Sequence, residues 1–122
     1  METQEVARSE WPSFFDAFSR QHDSWLVTLE EIPSAASRAF LQAGGLPLDG
    51  IVADPDSRSI SIMLGRLPDR HVTHTIDRPA RVIVERTDDG IEQAVRIERD
   101  EGRVTRLSFR SAVRPEEVDG VP

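Results

Sequence analysis

Residues 51–64 read IVADPDSRSISIML, and this stretch decides the fold. Apolar and polar residues alternate on both sides of the Asp-Pro-Asp-Ser turn at residues 54–57, which is typical of two half-buried antiparallel strands. A four-residue connection pairs Asp54 with Ser59. That register brings the apolar residues of the two strands face to face: Ala53 with Ile60, and Ile51 with Ile62.

The alternating pattern extends from Leu48 to Arg110 and predicts a run of further antiparallel strands. After the break at Pro68, residues 71–77 predict a strand that Pro79 ends. One face of this strand carries Val72, His74 and Ile76. The other face carries polar residues, so the strand is expected to be half-buried.

Two turn signals fix the registers of the last strands. Asp89-Gly90 as a two-residue turn pairs apolar residues, namely Val84 with Val95 and Val82 with Ile97. The next connection favours a three-residue loop at residues 100–102, with Gly102 in a left-handed conformation. This loop sets two more pairs opposite each other: Val95 with Leu107, and Gln93 with Phe109.

The N-terminal half predicts one helix and one strand. Residues 12–22 form the helix, entered through Trp11 as a non-helical residue, with Pro12 in the first turn. Its apolar stripe is Phe14, Phe15 and Phe18. Residues 25–29 predict a strand with one apolar face: Trp25, Val27 and Leu29. Residues 34–45 predict either a short helix or a mobile connection.

These elements predict an α+β fold in which the N-terminal amphipathic helix packs on a six- or seven-stranded antiparallel meander sheet. The sheet is expected to be open or curled into a partly open barrel. Residues 1–10 are expected to be a disordered N-terminal segment, residues 11–113 a single domain, and residues 114–122 a flexible acidic tail.

Composition excludes several classes of protein. The chain has 122 residues and a formal net charge of −7, and all fifteen of its basic residues are Arg. The negative charge disfavours nucleic-acid binding, and no apolar run is long enough to cross a membrane. Without Cys there are no disulfides or thiolate ligands. The absence of Lys, Asn and Tyr suggests a GC-rich bacterial source, and the cytoplasm is the default compartment.

The segment HVTHTID at residues 71–77 carries the most side chains with possible chemistry. His71 and His74 are three residues apart, so on a strand they point to opposite faces and do not chelate one metal ion. His74 lies between Val72 and Ile76 on the apolar face of this strand, so it is first interpreted as a core histidine whose ring nitrogens are hydrogen-bonded. Its alternative role is to line a cavity that binds a ligand.

Nothing else in the chain predicts catalysis or a cofactor. No nucleophile elbow, phosphate loop, zinc spacing or dinucleotide fingerprint occurs, and no catalytic residue is assigned. Paired acids such as Glu30-Glu31 and Asp54 with Asp56 read as turn or strand-end residues. The arginines of the later strands are expected to form an outer ladder with Glu85, Glu92 and Glu98.

Two hypotheses about function remain open. The first is a non-enzymatic interaction or accessory domain that contacts a protein partner or forms a homodimer through a free strand edge. The second is a small-molecule-binding or hydrolytic domain with a pocket lined by His74, Thr28 and Trp25. Neither hypothesis requires a metal, a nucleic acid or a membrane.

Three segments carry a resemblance to a known group of proteins: WPSFFDAFSRQHDSWLV at residues 11–27, LPLDGI at residues 46–51, and HVTHTIDRP at residues 71–79. Together with the Asp-Asp-Gly hairpin, they resemble a small bacterial single-domain family of unknown function. The resemblance covers most of the chain from Trp11 to Ala112. It implies a free-standing bacterial domain, and it brings no activity, cofactor or catalytic residue with it.

Overall fold

A computed structural model describes residues 2–33, 38–56, 58–65 and 71–109. Their elements, in chain order, are β1 (Glu2–Val6), a short 3-10 helix (Arg8–Glu10), α1 (Trp11–Gln21), β2 (Leu26–Ile32), β3 (Phe40–Asp54), β4 (Ser59–Leu64), β5 (Val72–Asp77), β6 (Pro79–Arg86), β7 (Glu92–Arg99) and β8 (Val104–Phe109). The strands form one antiparallel sheet in the order β1-β6-β7-β8-β2-β3-β4-β5. The predicted α+β fold is confirmed: one helix packs on an antiparallel sheet that is not closed.

The sheet has eight strands rather than six or seven, and one of them is β1. Residues 1–10 were expected to be disordered, but β1 pairs with β6 along its length, from Glu2 opposite Arg86 to Val6 opposite Val82. In β1 only Val6 is buried, and its carbonyl accepts a hydrogen bond of 2.9 Å from the indole Nε1 of Trp11. The other β1 residues are exposed, so this strand has no alternating apolar pattern to reveal it.

The strand β3 is shared between two halves of the sheet. Its first half pairs with β2 and its second half with β4. The helix or mobile connection expected at residues 34–45 is therefore wrong for residues 40–45, while residues 34–37 lie outside the described residues. Register shifts opposite β2 and the left-handed Gly45, with φ of 69°, interrupt the regular alternation that would have indicated a strand here.

A single residue, Arg78, joins β5 to β6. These two strands are far apart in the order of the sheet, since β5 is one edge and β6 lies next to the opposite edge. A connection of one residue spans only a few ångströms, so the end of β5 must lie close to the start of β6. The sheet therefore folds back on itself and stays open between its two edge strands, β1 and β5.

Most of the predicted registers are confirmed. The pairs Ala53 with Ile60, Ile51 with Ile62, Val84 with Val95, Val82 with Ile97 and Val95 with Leu107 all lie opposite each other. Gly102 has a φ of 93°, and the bond from the Arg99 N–H to the Arg103 carbonyl closes the predicted three-residue loop. These pairs place the apolar side chains of the sheet in one core.

The turn at Asp89-Gly90 differs from the prediction. The Thr87 N–H bonds to the Ile91 carbonyl at 2.8 Å, and Gly90 has a φ of 84°, so the loop contains three residues rather than two. A register shift between Glu85 and Arg86 compensates for the extra residue. The apolar pairs are preserved because the shift lies between them and the loop.

The helix α1 packs on β3 through its aromatic side and one hydroxyl. Trp11, Phe15 and Phe18 are buried. The expectation that Trp11 is non-helical is wrong: its φ of −55° and ψ of −48° are helical, because the preceding 3-10 helix leads directly into α1. On the same helix, the Ser19 hydroxyl donates to the Phe15 carbonyl at 2.7 Å and accepts from the Ile51 N–H at 2.9 Å.

The variant Ser19→Ala tests the link between helix and sheet. It leaves the Ile51 N–H without its acceptor, and we expect the free energy of unfolding to fall by about 1–3 kcal/mol in urea denaturation. The control is Ser13→Ala on the same helix, where the exposed hydroxyl bonds only to the Glu10 carbonyl. Equal losses in the two variants would contradict a specific role for Ser19.

Candidate functional site

A cleft lies where β5 meets β6 and where β1 leads into α1. Its volume is about 680 Å³, within the range of small-molecule sites. Three arginines line it, Arg8, Arg58 and Arg78. Two acids and three apolar residues also line it: Asp54, Asp100, Trp11, Pro12 and Pro79.

Two of the three arginines have an unusual backbone. Arg58 and Arg78 both have a φ of 52°, and the N–H of Arg78 donates to the carbonyl of Arg58 at 3.0 Å. Among the described residues, only Ser24 is a further non-glycine residue with positive φ. A left-handed conformation costs an ordinary L-residue roughly 1–2 kcal/mol. Such strain is concentrated at functional sites in proteins, so this bonded pair marks the cleft.

A turn and a backbone hydrogen bond bring these two arginines together. Arg58 follows the turn between β3 and β4, where Asp54 Oδ1 accepts the Asp56 N–H at 3.0 Å. Arg78 precedes Pro79, and a residue before proline favours extended backbone, so the proline does not account for the positive φ of Arg78. The two backbones are joined by the bond from the Arg78 N–H to the Arg58 carbonyl, at the corner between β5 and β6.

The guanidinium groups of Arg58 and Arg78 form no ion pair or hydrogen bond within the part of the chain that the structure describes. The strand arginines behave differently, and the outer ladder expected from the sequence is present at several positions: Arg81 with Glu98 at 3.3 Å, Arg86 with Glu92 at 3.4 Å, and Arg106 with Glu85 at 3.0 Å. The hydrogen bonds that the Arg106 guanidinium donates to Glu85 raise the pKa of Arg106. Among the described residues, none therefore occupies the two cleft guanidinium groups.

Arg8 is held in place by its own contacts. Its Nη2 donates to the Pro79 carbonyl at 3.1 Å, and its guanidinium lies 4.5 Å from the ring centroid of Trp11. A cation over an indole face is stabilised by the ring quadrupole. Arg8 thereby joins the start of α1 to the β5–β6 corner and adds a fixed positive charge to the cleft.

His74, the central residue of the sequence hypothesis, lies elsewhere and is half-buried. Its Nε2 is 3.5 Å from Glu31 Oε2, and that oxygen accepts a hydrogen bond of 2.8 Å from Thr105. Arg103 Nε is 3.8 Å from the other oxygen, Glu31 Oε1. Within the described residues, His74 Nε2 and Glu31 Oε1 are both buried without a hydrogen-bond partner. The sequence placed Glu31 only at a strand end and gave no sign that it faces His74.

Thr28 and Trp25 do not join His74 in one pocket. Thr28 alternates along β2 with the buried residues Val27 and Leu29, so it points to the opposite face of the strand. Trp25 packs against His22 and Phe109, with ring centroids 4.7 and 4.9 Å away. Trp25 lies six positions before Glu31, the neighbour of His74, and six positions correspond to about 20 Å along a strand.

Sequence reasoning missed the arginine cleft. Arg78 lies between the predicted strand at residues 71–77 and Pro79 and was given no role, and Arg58 lies in the connection that served only to set the register of Asp54 with Ser59. An arginine in a sequence gives no indication of a left-handed backbone. The available signal was position, since each arginine lies in or beside a proline-containing turn. In the described ranges, no group of three His, Asp or Glu residues is placed to hold a metal ion.

The family model described as "Family of unknown function (DUF5335)" matches residues 2–118. The chain belongs to this family. The match confirms the resemblance to a single-domain family of unknown function, and it gives the DUF5335 domain no activity. No curated protein and no solved structure matches the chain. Among the described residues of this DUF5335 chain, no helix is long and apolar enough to cross a membrane.

His22 of this DUF5335 chain is buried and has a structural role. Its Nδ1 lies 2.8 Å from the Phe18 carbonyl, and its ring stacks on Phe109 with centroids 4.6 Å apart. Burial lowers the pKa of His22, although the bond to Phe18 and the charge of Glu92 oppose that shift. The folded protein therefore favours the neutral imidazole.

This lowered pKa predicts a loss of stability in acid. Between the folded pKa of His22 and about 6.5, the unfolded chain binds more protons, so the free energy of unfolding falls as the pH drops through that window. Urea denaturation at pH values on either side of the window measures this fall. We expect His22→Phe to show a smaller fall, and an unchanged fall would contradict the assignment.

Proposed function

We propose that the DUF5335 domain is a binding protein that holds a small organic anion in the arginine cleft. The observation that carries this proposal is the pair of strained arginines, Arg58 and Arg78, joined backbone to backbone at 3.0 Å beside a cleft of about 680 Å³. A guanidinium binds carboxylate or phosphate through two parallel hydrogen bonds. Two guanidiniums and the fixed Arg8 supply the donors for such a group.

The charge of the chain supports the same proposal. The protein carries a net charge of −7, which repels anions from most of its surface. Arginines gathered at one concave site give an anion a single favourable place to bind. Left-handed backbone at both Arg58 and Arg78 lowers stability, and a ligand-binding role explains why arginine stands there rather than glycine.

Two earlier hypotheses stay predictions. Contact with a protein partner or a second copy is supported by the unpaired edges β1 and β5 and by two exposed apolar side chains, Phe40 at 59% and Leu41 at 68%. A site around His74 is supported by its buried, unbonded Nε2, with Glu31 in place of the expected Thr28 and Trp25. The arginine cleft has the advantage of both a volume and charged donors.

The proposal also includes a setting for the domain. We propose a bacterial, cytoplasmic protein that does not bind nucleic acid. The support is compositional: every basic residue is arginine, and the net charge is −7. The cleft needs no cofactor to bind an anion.

Titration with acetate, followed by amide and indole NMR shifts at constant ionic strength, tests the proposed site. We expect the largest shifts at Arg58, Arg78 and Trp11, because their groups line the cleft. Arg58→Gln combined with Arg78→Gln should weaken binding by about tenfold or more, since charged hydrogen bonds are worth about 1.5–3 kcal/mol each. The control is Arg20→Gln, which removes an exposed helix arginine paired with Asp16. Equal binding in both variants would overturn the proposal.

Relief of strain gives a second, opposite readout. Asn tolerates the left-handed conformation better than Arg, so Arg78→Asn should raise the free energy of unfolding by about 0.5–1 kcal/mol while it weakens acetate binding. Urea denaturation and the NMR titration measure the two effects on one sample. A variant that is both less stable and unchanged in binding would contradict a functional origin for the strain.

A further inference from the structure

Resting on the proposed function, we infer that the ligand is a small zwitterion, with a carboxylate and an ammonium group separated by a short apolar body. The inference comes from residues that simple anion binding does not use. Two carboxylates, Asp54 and Asp100, line the same cleft as the three arginines. Asp54 also accepts the Asp56 N–H in its own turn, whereas Asp100 makes no such bond within the described residues. A site for anions alone gains nothing from the Asp100 carboxylate, since like charges repel.

The charge of the cleft lining favours one kind of anion over another. Three guanidiniums against two carboxylates leave the lining with a formal charge near +1. A dianionic phosphate would be attracted by the arginines and repelled by both acids. A carboxylate that carries its own ammonium group meets an opposite charge at each end, so it satisfies both sets of residues.

Asp100 is free to take the ammonium group. It lies in the three-residue loop between β7 and β8, and its carboxylate has no hydrogen bond or ion pair within the described residues. Asp100 has therefore not neutralised the arginines of the cleft, because the guanidinium groups of Arg58 and Arg78 also have no partner within the described residues. A carboxylate and two guanidinium groups that line one cleft without pairing to each other leave room for a ligand that bridges them.

The lining between the charges is apolar. The Trp11 ring is almost fully buried, at 5% exposure, and Pro12 and Pro79 also line the cleft. The indole N–H of Trp11 is already bonded to the Val6 carbonyl, and proline side chains have no donor or acceptor, so this lining suits a stretch of CH₂ groups better than a polyol. The class of ligand is thus an amino carboxylate with a hydrocarbon spacer.

Isothermal titration of the full chain with δ-aminovalerate and with valerate tests the inference. The two probes share the carboxylate and the spacer, and only the first has the ammonium group. We expect δ-aminovalerate to bind about three- to fivefold more tightly, the value of one solvent-exposed ion pair. Asp100→Asn should abolish this preference while valerate binding stays equal or improves. The matched control, Asp16→Asn on the exposed face of α1, should preserve it.

The remaining outcomes separate this inference from the proposed function. If valerate binds as tightly as δ-aminovalerate, or if inorganic phosphate binds more tightly than both, the zwitterion is overturned and the anion site stands. If the preference survives Asp100→Asn, the assignment of Asp100 is overturned. If none of the three probes binds, both the inference and the proposed function fail.

Discussion

The fold depends on one covalent constraint: a single residue, Arg78, connects an edge strand to a strand near the opposite edge of the sheet. Because that connection is so short, the eight strands cannot lie in one flat sheet. The sheet folds back until the end of β5 meets the start of β6. The same corner lines the cleft, through Arg78 and Pro79. The left-handed backbone of Arg78 therefore lies directly beside the ligand-sized space.

Two further features keep the corner in place. The 15-residue strand β3 belongs to both halves of the sheet, so it holds β4 and β5 over the rest of the core. The helix α1 fastens to this strand through Ser19 and the Ile51 N–H, while its first residue, Trp11, bonds back to β1. Arg8 then reaches the Pro79 carbonyl. Fold and cleft are thus built from the same contacts.

The sequence allowed prediction of the features that depend on the alternation of apolar and polar residues along the strands. The pairs around residues 54–59 and the loop at Gly102 were predictable because apolar residues repeat at every second position up to a turn. The strand β1 was not, because all of its side chains but Val6 face solvent. The first half of β3 was not, because register shifts break its pattern. The left-handed conformations of Arg58 and Arg78 were not predictable, because arginine has no preference for a positive φ.

The most direct test of the account is a crystal structure of the chain with para-bromobenzoate, whose bromine is located by anomalous scattering. We expect the carboxylate to lie within hydrogen-bond distance of both the Arg58 and Arg78 guanidinium groups. Both residues should have a positive φ, and the ring should lie on the Trp11 side of the cleft. The account is contradicted if the bromine lies elsewhere, or if these guanidinium groups pair with Asp54 and Asp100 and close the cleft.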